Sequence, residues 1–270
     1  MKIMLVRDRN VLNNNWLAYF ANLLHERGHE VVIACDTYGK LGVSAPGHEL
    51  EPGVRLANVN GKTSSPLQNF WRRIRCKALP SWHLFDRLIK AEKPDVIICY
   101  FPVDLYNVTR FQHHNIPIVQ MVHGYPPMIL DKVLHKNPLS RAFCRQSFAR
   151  INTWQVLMNS YKKEIDPFFA PQNVVRIANP VKQYAENEMA DLSAEKKRII
   201  YVARIEKKTK RPHLLVEAFA KIAAEFPDWK VEIWGMRKYP EYEKEINDFI
   251  RAHNLTGQVA LMGYTEDVEG

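Results

Sequence analysis

Apolar residues along the first part of the chain alternate between short continuous runs and sets at helical spacing. Residues 2–6 and 30–35 are each an apolar run after one charged residue, and apolar side chains recur at helical spacing from Trp16 to Leu24 between them. This order predicts two parallel strands joined by a helical crossover. Further strands are predicted over 54–59, 95–100, 117–122, 153–158 and 174–177, and helices over 84–91, 104–113 and 138–151. Strands that are apolar throughout predict a sheet covered on both faces, as in a doubly wound α/β domain.

The same alternation restarts in the last third of the chain. It predicts strands over 198–203, 230–234 and 258–262, and helices over 212–226 and 240–253. Pro212 and Pro240 stand where proline fits the first turn of a helix. Residues 183–197 are polar without periodicity, so we expect them to connect two domains. We predict a Rossmann-like domain over 1–182 and a partial second one over 198–270, because its strands are fewer than a typical sheet contains.

Composition indicates a location and an uneven distribution of charge. No apolar stretch reaches the ~18–20 residues that span a bilayer, and the first strand runs into charged residues 7–9, so a cytoplasmic location is expected. The four scattered cysteines indicate neither a zinc site nor a disulfide framework. The net charge is +9, and residues 1–190 carry all of the excess, with 24 basic and 15 acidic residues. An anionic partner is therefore expected for this part of the chain.

The clearest candidate chemistry lies between a strand and a helix of the second domain. Arg204 follows the predicted strand, and Lys210 precedes the helix that begins near Pro212. The carboxyl edge of a parallel sheet and the N-terminus of a helix both favour phosphate groups. An arginine fork together with a lysine charge suits a diphosphate. A solvated basic loop explains these cations equally well from the residues alone.

The string from Tyr201 to Phe219 resembles the sugar-donor lobe of the retaining family 4 glycosyltransferases, which have the two-lobed GT-B fold. Further segments that are similar to this family occur in the family's order, at residues 29–31, 123–124, 156–160, 177–181, 233–235 and 259–268. The resemblance implies that Arg204 and Lys210 hold the diphosphate of a nucleotide sugar, with UDP as the expected nucleotide. It also implies that Gly235 belongs to the donor site.

Other positions acquire expected roles from this resemblance. His123 ends a predicted strand and would orient the sugar or the acceptor, although a histidine that only stabilises the turn explains it too. Family members commonly have a Gly-Gly pair after the first strand, whereas residues 8–15 form an Asn-rich loop here, in which Asn14 is the candidate donor contact. The family's Glu-x7-Glu motif would lie beyond Gly270. We therefore expect a truncated chain that is inactive or nearly inactive alone.

Aromatic and basic residues interleave over 69–85, within the basic part of the chain. This composition suits an anionic membrane surface or a nucleic acid, and a core-facing helix with a solvated basic face explains it equally well. A membrane is the preferred partner, because related enzymes often extend lipid-linked glycans, and no nucleic-acid-binding motif is present. The candidate surface residues are Trp71, Arg72, Arg73, Arg75, Lys77 and Trp82.

Together these features predict a retaining hexosyltransferase that moves a sugar from a UDP-sugar to a cell-envelope or lipid-linked glycan, such as lipopolysaccharide. The donor would bind the C-terminal lobe and the acceptor the basic N-terminal lobe, with the chemistry between them. His123, Arg204 and Lys210 are the predicted catalytic residues. The two cations would stabilise the departing phosphate, so neither a metal nor another cofactor is expected. A nucleotide-sugar epimerase of the same fold, or a non-catalytic module that binds anionic surfaces or nucleic acid, are the alternatives.

Overall fold

The computed structural model describes residues 1–7, 15–35, 50–59, 65–68, 70–71, 82–110, 114–134, 137–169, 173–181, 185–186 and 197–265. The chain divides into two compact units, Met1–Gln183 and Tyr184–Gly270. The predicted connector 183–197 falls mostly outside the described residues, so its boundaries stay a prediction. Every helix in the described ranges is too short or too polar to cross a bilayer.

The first unit is a seven-stranded parallel sheet with helices between its strands. Its strands are β1 (Lys2–Arg7), β2 (Glu30–Cys35), β3 (Arg55–Asn58), β4 (Val96–Cys99), β5 (Ile118–Val122), β6 (Thr153–Val156) and β7 (Val174–Arg176). Its helices are α1 (Asn15–Glu26), α2 (Trp82–Glu92), α3 (Pro102–Thr109), α4 (Pro126–Leu134), α5 (Pro138–Phe148) and α6 (Ser160–Phe169). The strand order is β3-β2-β1-β4-β5-β6-β7, which confirms the predicted doubly wound α/β fold.

The central strand β1 explains why apolar runs, and not alternating patterns, encode this sheet. Successive side chains of a strand point to opposite faces. Met4 and Val6 pack into one apolar core, whereas Ile3 and Leu5 pack into the core on the other face. All four are buried, so no position of β1 between its ends can be polar without losing contacts in one of the cores.

The second unit is smaller and has the same construction. Parallel strands β8 (Arg198–Val202), β9 (Lys230–Trp234) and β10 (Val259–Gly263) lie in the order β10-β9-β8, together with helices α7 (Pro212–Ala220) and α8 (Pro240–Ala252). Val216 and Phe219 of α7 share a core with Ile233 and with Ile246 and Ile250 of α8. This arrangement confirms the second α/β lobe.

Helices α4 and α6 were not predicted, and α7 is shorter than its pattern indicates. Two successive prolines begin α4, where no backbone donor is needed, yet a Pro-Pro pair in a sequence suggests a loop. After Ala220, the amides of Ile222 and Glu225 bond to carbonyls three residues back. The chain therefore continues as tight turns to Phe226 instead of as an α-helix.

An ion cluster joins the amino ends of β1, β2 and β3 to the carboxyl end of α2. The Glu92 carboxylate, at the end of α2, accepts a hydrogen bond of 2.7 Å from the Arg55 guanidinium at the start of β3. It also lies 2.9 Å from the Lys2 ammonium at the start of β1, which in turn lies 2.8 Å from Glu30. The Arg55 hydrogen bond, and secondarily Lys2, lower the pKa of Glu92 to about 2, although partial burial opposes the shift.

Replacing this carboxylate should therefore have an effect on stability that depends on pH. We expect Glu92→Gln to lower the free energy of unfolding by about 1–2 kcal/mol at pH 7, since the half-exposed Arg55 allows solvent screening. Because the folded pKa is depressed, the wild-type advantage should be complete above pH ~4.5 and shrink as the pH falls toward 2. Urea unfolding at several pH values checks this, and a difference that does not change with pH would contradict it.

Candidate functional site

The loop between β8 and α7 is anchored to the next strand connection of the second unit. The Ala203 amide donates to the Trp234 carbonyl at 3.0 Å, and the Ile205 amide donates to the Met236 carbonyl at 3.2 Å. Arg204 lies between these two anchors at the carboxyl edge of the sheet. Its side chain is 61% exposed, so a fixed backbone presents a solvent-accessible guanidinium where ligands of such sheets bind.

Arg204 has an acidic partner within the same loop. One terminal guanidinium nitrogen lies 3.3 Å from a carboxylate oxygen of Glu206, whose side chain is only 17% exposed. The distance is that of an ion pair, and the geometry does not meet the requirements of a hydrogen bond. Since a guanidinium has five donors, this pair orients Arg204 and leaves most of its donors for an anion. The sequence signal was a carboxylate two residues after the arginine, and its significance was missed.

Lys210 is held through its backbone and not through its side chain. The Tyr201 hydroxyl, from β8, donates a hydrogen bond to the Lys210 carbonyl. The next residue, Arg211, has φ +55° and donates its amide to the Glu206 carbonyl at 2.8 Å. A left-handed conformation costs a non-glycine residue ~1–2 kcal/mol, so the surrounding loop must impose it. The exposed Lys210 side chain thus stands directly before α7, as the sequence predicted.

Gly235 allows two strand ends to approach each other. A Cβ atom at this position would lie 1.7 Å from the Ala203 carbonyl oxygen, which is far inside van der Waals contact. The Gly235 amide also donates to the Gly263 carbonyl at 2.7 Å. This glycine is therefore required for packing beside Arg204, and its predicted contact with the donor stays a prediction.

Arg237 is a further cation at this edge that the sequence interpretation missed. It follows β9, donates a hydrogen bond of 2.7 Å to the Leu261 carbonyl, and lies 3.6 Å from the Glu243 carboxylate. Its side chain is half exposed. Its position two residues after Gly235, at a strand end, was the available signal.

His123 directly follows β5 at the carboxyl edge of the first unit. Its Nε2 atom lies 3.1 Å from the Gln155 side-chain oxygen. Burial lowers the pKa of His123 below its ordinary value, and the hydrogen bond with Gln155 partly opposes this shift. His123 is consequently neutral at pH 7 and can take part in hydrogen bonding without carrying charge.

Aromatic residues surround His123, and sequence analysis did not assign them to the site. The imidazole packs edge-on against Trp16, with ring centroids 4.6 Å apart, and against Tyr100 at 4.8 Å. The Arg7 guanidinium lies over the Tyr100 ring at 4.6 Å and over Phe101 at 4.0 Å. Trp16 packs against the core beside Leu17 and Ala21, as its helical spacing predicts, and it also reaches the histidine because α1 begins at this edge.

The other predicted residues are only partly described. Trp71 is 61% exposed and contacts Phe70 edge-on, whereas Trp82 is partly buried at the start of α2. Asn14, Arg72, Arg73, Arg75 and Lys77 lie outside the described residues. Among the residues that the structure does describe, no group of three or more His, Cys, Asp and Glu side chains could hold a metal ion.

Comparison with protein families identifies both units. Residues 14–182 match the model of Glycosyltransferase Family 4, and residues 185–269 match that of Glycosyl transferases group 1. A search of curated proteins found no significant match.

Solved structures share the fold at low sequence identity. Sucrose-phosphate synthase from Thermosynechococcus elongatus is 12% identical with a TM-score of 0.67, over 98% of this chain and 71% of that one. A point mutant of S. aureus TarM, in complex with fondaparinux, α-GlcNAc-glycerol and UDP, is 14% identical with a TM-score of 0.64, over 98% and 77%. UDP-GlcNAc 2-epimerase from Neisseria meningitidis, bound to UDP-GlcNAc, is 15% identical with a TM-score of 0.57, over 100% and 73%. At these identities the likeness shows the GT-B fold alone.

The collision at Gly235 leads to a test of the strand-end packing. We expect Gly235→Ala to destabilise the second unit by about 1–3 kcal/mol, because the added methyl group must displace the Ala203 backbone. Gly257→Ala is the matched control, since nothing lies within 4 Å of a Cβ atom there. Thermal and urea unfolding provide the comparison. Equal stability of the two variants would show that the close approach is not a constraint.

Proposed function

The chain belongs to Glycosyltransferase Family 4, and on that premise we propose that it transfers a sugar from a UDP-sugar to a glycan acceptor with retention of configuration. The observation that carries the proposal is the anchored loop of the second unit, which presents Arg204 and Lys210 between a strand end and a helix start. A diphosphate needs this combination of fixed positive charge and available donors. The UDP in the TarM complex supports the choice of nucleotide.

In the proposed reaction, the bond between the sugar's anomeric carbon and the β-phosphate oxygen breaks, and the bonding electrons leave with UDP. The acceptor hydroxyl attacks from the same face, and its proton passes to the departing phosphate. Arg204 and Lys210 stabilise the negative charge that develops on this phosphate, which is the electrostatic contribution that commonly dominates such catalysis. Glu206 keeps the Arg204 guanidinium oriented before the donor binds. His123 orients a sugar hydroxyl.

Surface charge and exposed apolar groups support a lipid-linked acceptor at the cytoplasmic face of a membrane. Residues 132–163 contain seven basic residues and no acidic one. Within α5, Arg141 and Arg145 are exposed and Leu139 is 83% exposed. Cations beside an exposed apolar side chain suit the interface of an anionic bilayer, and Trp71 adds a further exposed aromatic group.

An epimerase is the second candidate, because the epimerase from N. meningitidis shares the fold. Both enzymes would bind UDP, so nucleotide binding does not separate them. The two family models favour sugar transfer. A non-catalytic module that binds anionic surfaces would not respond to UDP, and its binding would weaken with salt.

Removing either cation of the loop should weaken nucleotide binding. We expect Arg204→Ala and Lys210→Ala each to raise the Kd for UDP about 10- to 100-fold, because each loses a charge-assisted hydrogen bond. Lys221→Ala, which removes an exposed cation at the other end of α7, is the matched control. Isothermal titration calorimetry measures all three variants. Unchanged UDP affinity in both loop variants would refute the proposed donor site.

The proposed site also leads to a prediction about how UDP binding depends on metal ions. If the two cations balance the diphosphate charge, UDP affinity should be the same within about twofold in excess EDTA and in millimolar Mg²⁺. Titration of the wild-type protein under both conditions tests this expectation. Strong dependence on Mg²⁺ would mean that a metal, and not only Arg204 and Lys210, neutralises the phosphates.

A further inference from the structure

Gln155 is a buried polar residue of strand β6, and it connects two groups at the carboxyl edge of the first unit. Only 3% of it is exposed. Its side-chain nitrogen donates a hydrogen bond to the Ile177 carbonyl, and its side-chain oxygen lies 3.1 Å from His123 Nε2. The Ile177 amide itself donates to the Val156 carbonyl at 3.0 Å. The carbonyl that orients Gln155 is therefore fixed to the sheet.

The chemistry of these groups determines where the proton of His123 lies. A backbone carbonyl only accepts, so the amide nitrogen of Gln155 must face Ile177 and the amide oxygen must face the histidine. An amide oxygen also only accepts, so Nε2 of His123 must carry a hydrogen. The Ile177 carbonyl therefore determines the orientation of the Gln155 amide, and this amide in turn determines the tautomer of His123.

The surroundings of the ring keep it neutral. The imidazole is flanked by Trp16 of α1 and by Tyr100 at the end of β4, and the Arg7 guanidinium lies over the Tyr100 ring. Burial disfavours the charged imidazolium and lowers the pKa of His123, although the hydrogen bond with Gln155 partly opposes this shift. In the neutral ring with Nε2–H, the Nδ1 atom has a lone pair. None of the described residues forms a hydrogen bond with it.

We propose that Gln155 is a positioning residue that holds His123 as the Nε2–H tautomer, so that Nδ1 accepts a hydrogen bond from a hydroxyl of the transferred sugar. The second half of this inference rests on the proposed function, whereas the first half depends only on the first unit. The opposite tautomer would present a donor at Nδ1 and would lose this acceptor.

Nitrogen NMR of the wild-type protein tests the tautomer directly. Long-range ¹H–¹⁵N correlation spectra at pH 7 should show Nε2 of His123 as protonated and Nδ1 as unprotonated. His114 is an internal reference, because its Nε2 faces the Val108 carbonyl at 3.1 Å and its Nδ1 accepts from the Ile116 amide at 3.3 Å. A protonated Nδ1 at His123 would overturn the inference, even if UDP binds as proposed.

Gln155→Met tests the cause of this tautomer. We expect the Nδ1–H form of His123 to become populated, and the affinity for the UDP-sugar to fall about 10-fold relative to the affinity for UDP. Gln258→Met is the matched control, because Gln258 is another partly buried amide that donates to backbone carbonyls but lies in the second unit. In Gln258→Met, the His123 resonances and the ratio of the affinities for the UDP-sugar and for UDP should stay unchanged.

A ligand titration separates the two halves of the inference. Adding the UDP-sugar that stabilises the protein most should shift the His123 Nδ1 resonance, whereas UDP alone should not. If the tautomer is as expected but the resonance stays unchanged at saturation, the role of Nδ1 toward the sugar is refuted and the positioning by Gln155 stands. If Gln155→Met leaves the tautomer unchanged, the positioning role is refuted. Loss of UDP binding in Arg204→Ala remains a separate test of the donor site.

Discussion

Burial of parallel strands on both faces is the constraint on which the rest of this structure depends. Neighbouring strands that run in the same direction are joined by helical crossovers, and the crossover helices cover both faces of the sheet, so that β1 contributes side chains to two cores. All carboxyl ends of the strands then meet at one edge of each sheet. Arg7, Tyr100 and His123 lie at that edge in the first unit, and Arg204 and Gly235 lie at the corresponding edge in the second. Within each unit, the chemistry-bearing residues are close together because the sheet is parallel.

The sequence was sufficient to predict the strands, since continuous apolar runs have one simple explanation in a doubly wound sheet. Helices were harder to predict, because their ends depend on local hydrogen bonding. The proline pair at Pro126 suggests a loop unless its neighbours are known to be helical. Beyond Ala220 the apolar spacing continues, but the hydrogen bonds become those of turns. Periodicity describes which face is buried, and it does not describe which carbonyl each amide reaches.

In the candidate site, too, some residues could be predicted from the sequence, whereas their contacts could not. Arg204, Lys210 and His123 could be selected from their chemistry and from their places at element ends. The contacts of these residues with Glu206, Tyr201 and Gln155 could not be predicted, because only the folded chain brings the partners together. Trp16 packs against the core, as its helical spacing predicts, but its contact with His123 could not be predicted, because it depends on α1 beginning at the carboxyl edge of the sheet.

The ion cluster of Glu92, Lys2 and Arg55 joins the amino ends of β1 and β3 to the carboxyl end of α2, at the edge of the sheet opposite His123 and Arg7. In the first unit, this ion cluster and the histidine that we propose to contact the sugar therefore lie at opposite edges of one sheet. The sequences of the loops at the carboxyl edge can therefore change without removing the ion cluster at the amino edge. Conversely, the ion pairs of the amino edge can be altered without changing any residue of the proposed site. Under the proposed function, the residues that choose the substrate and those that form this ion cluster are therefore separate sets.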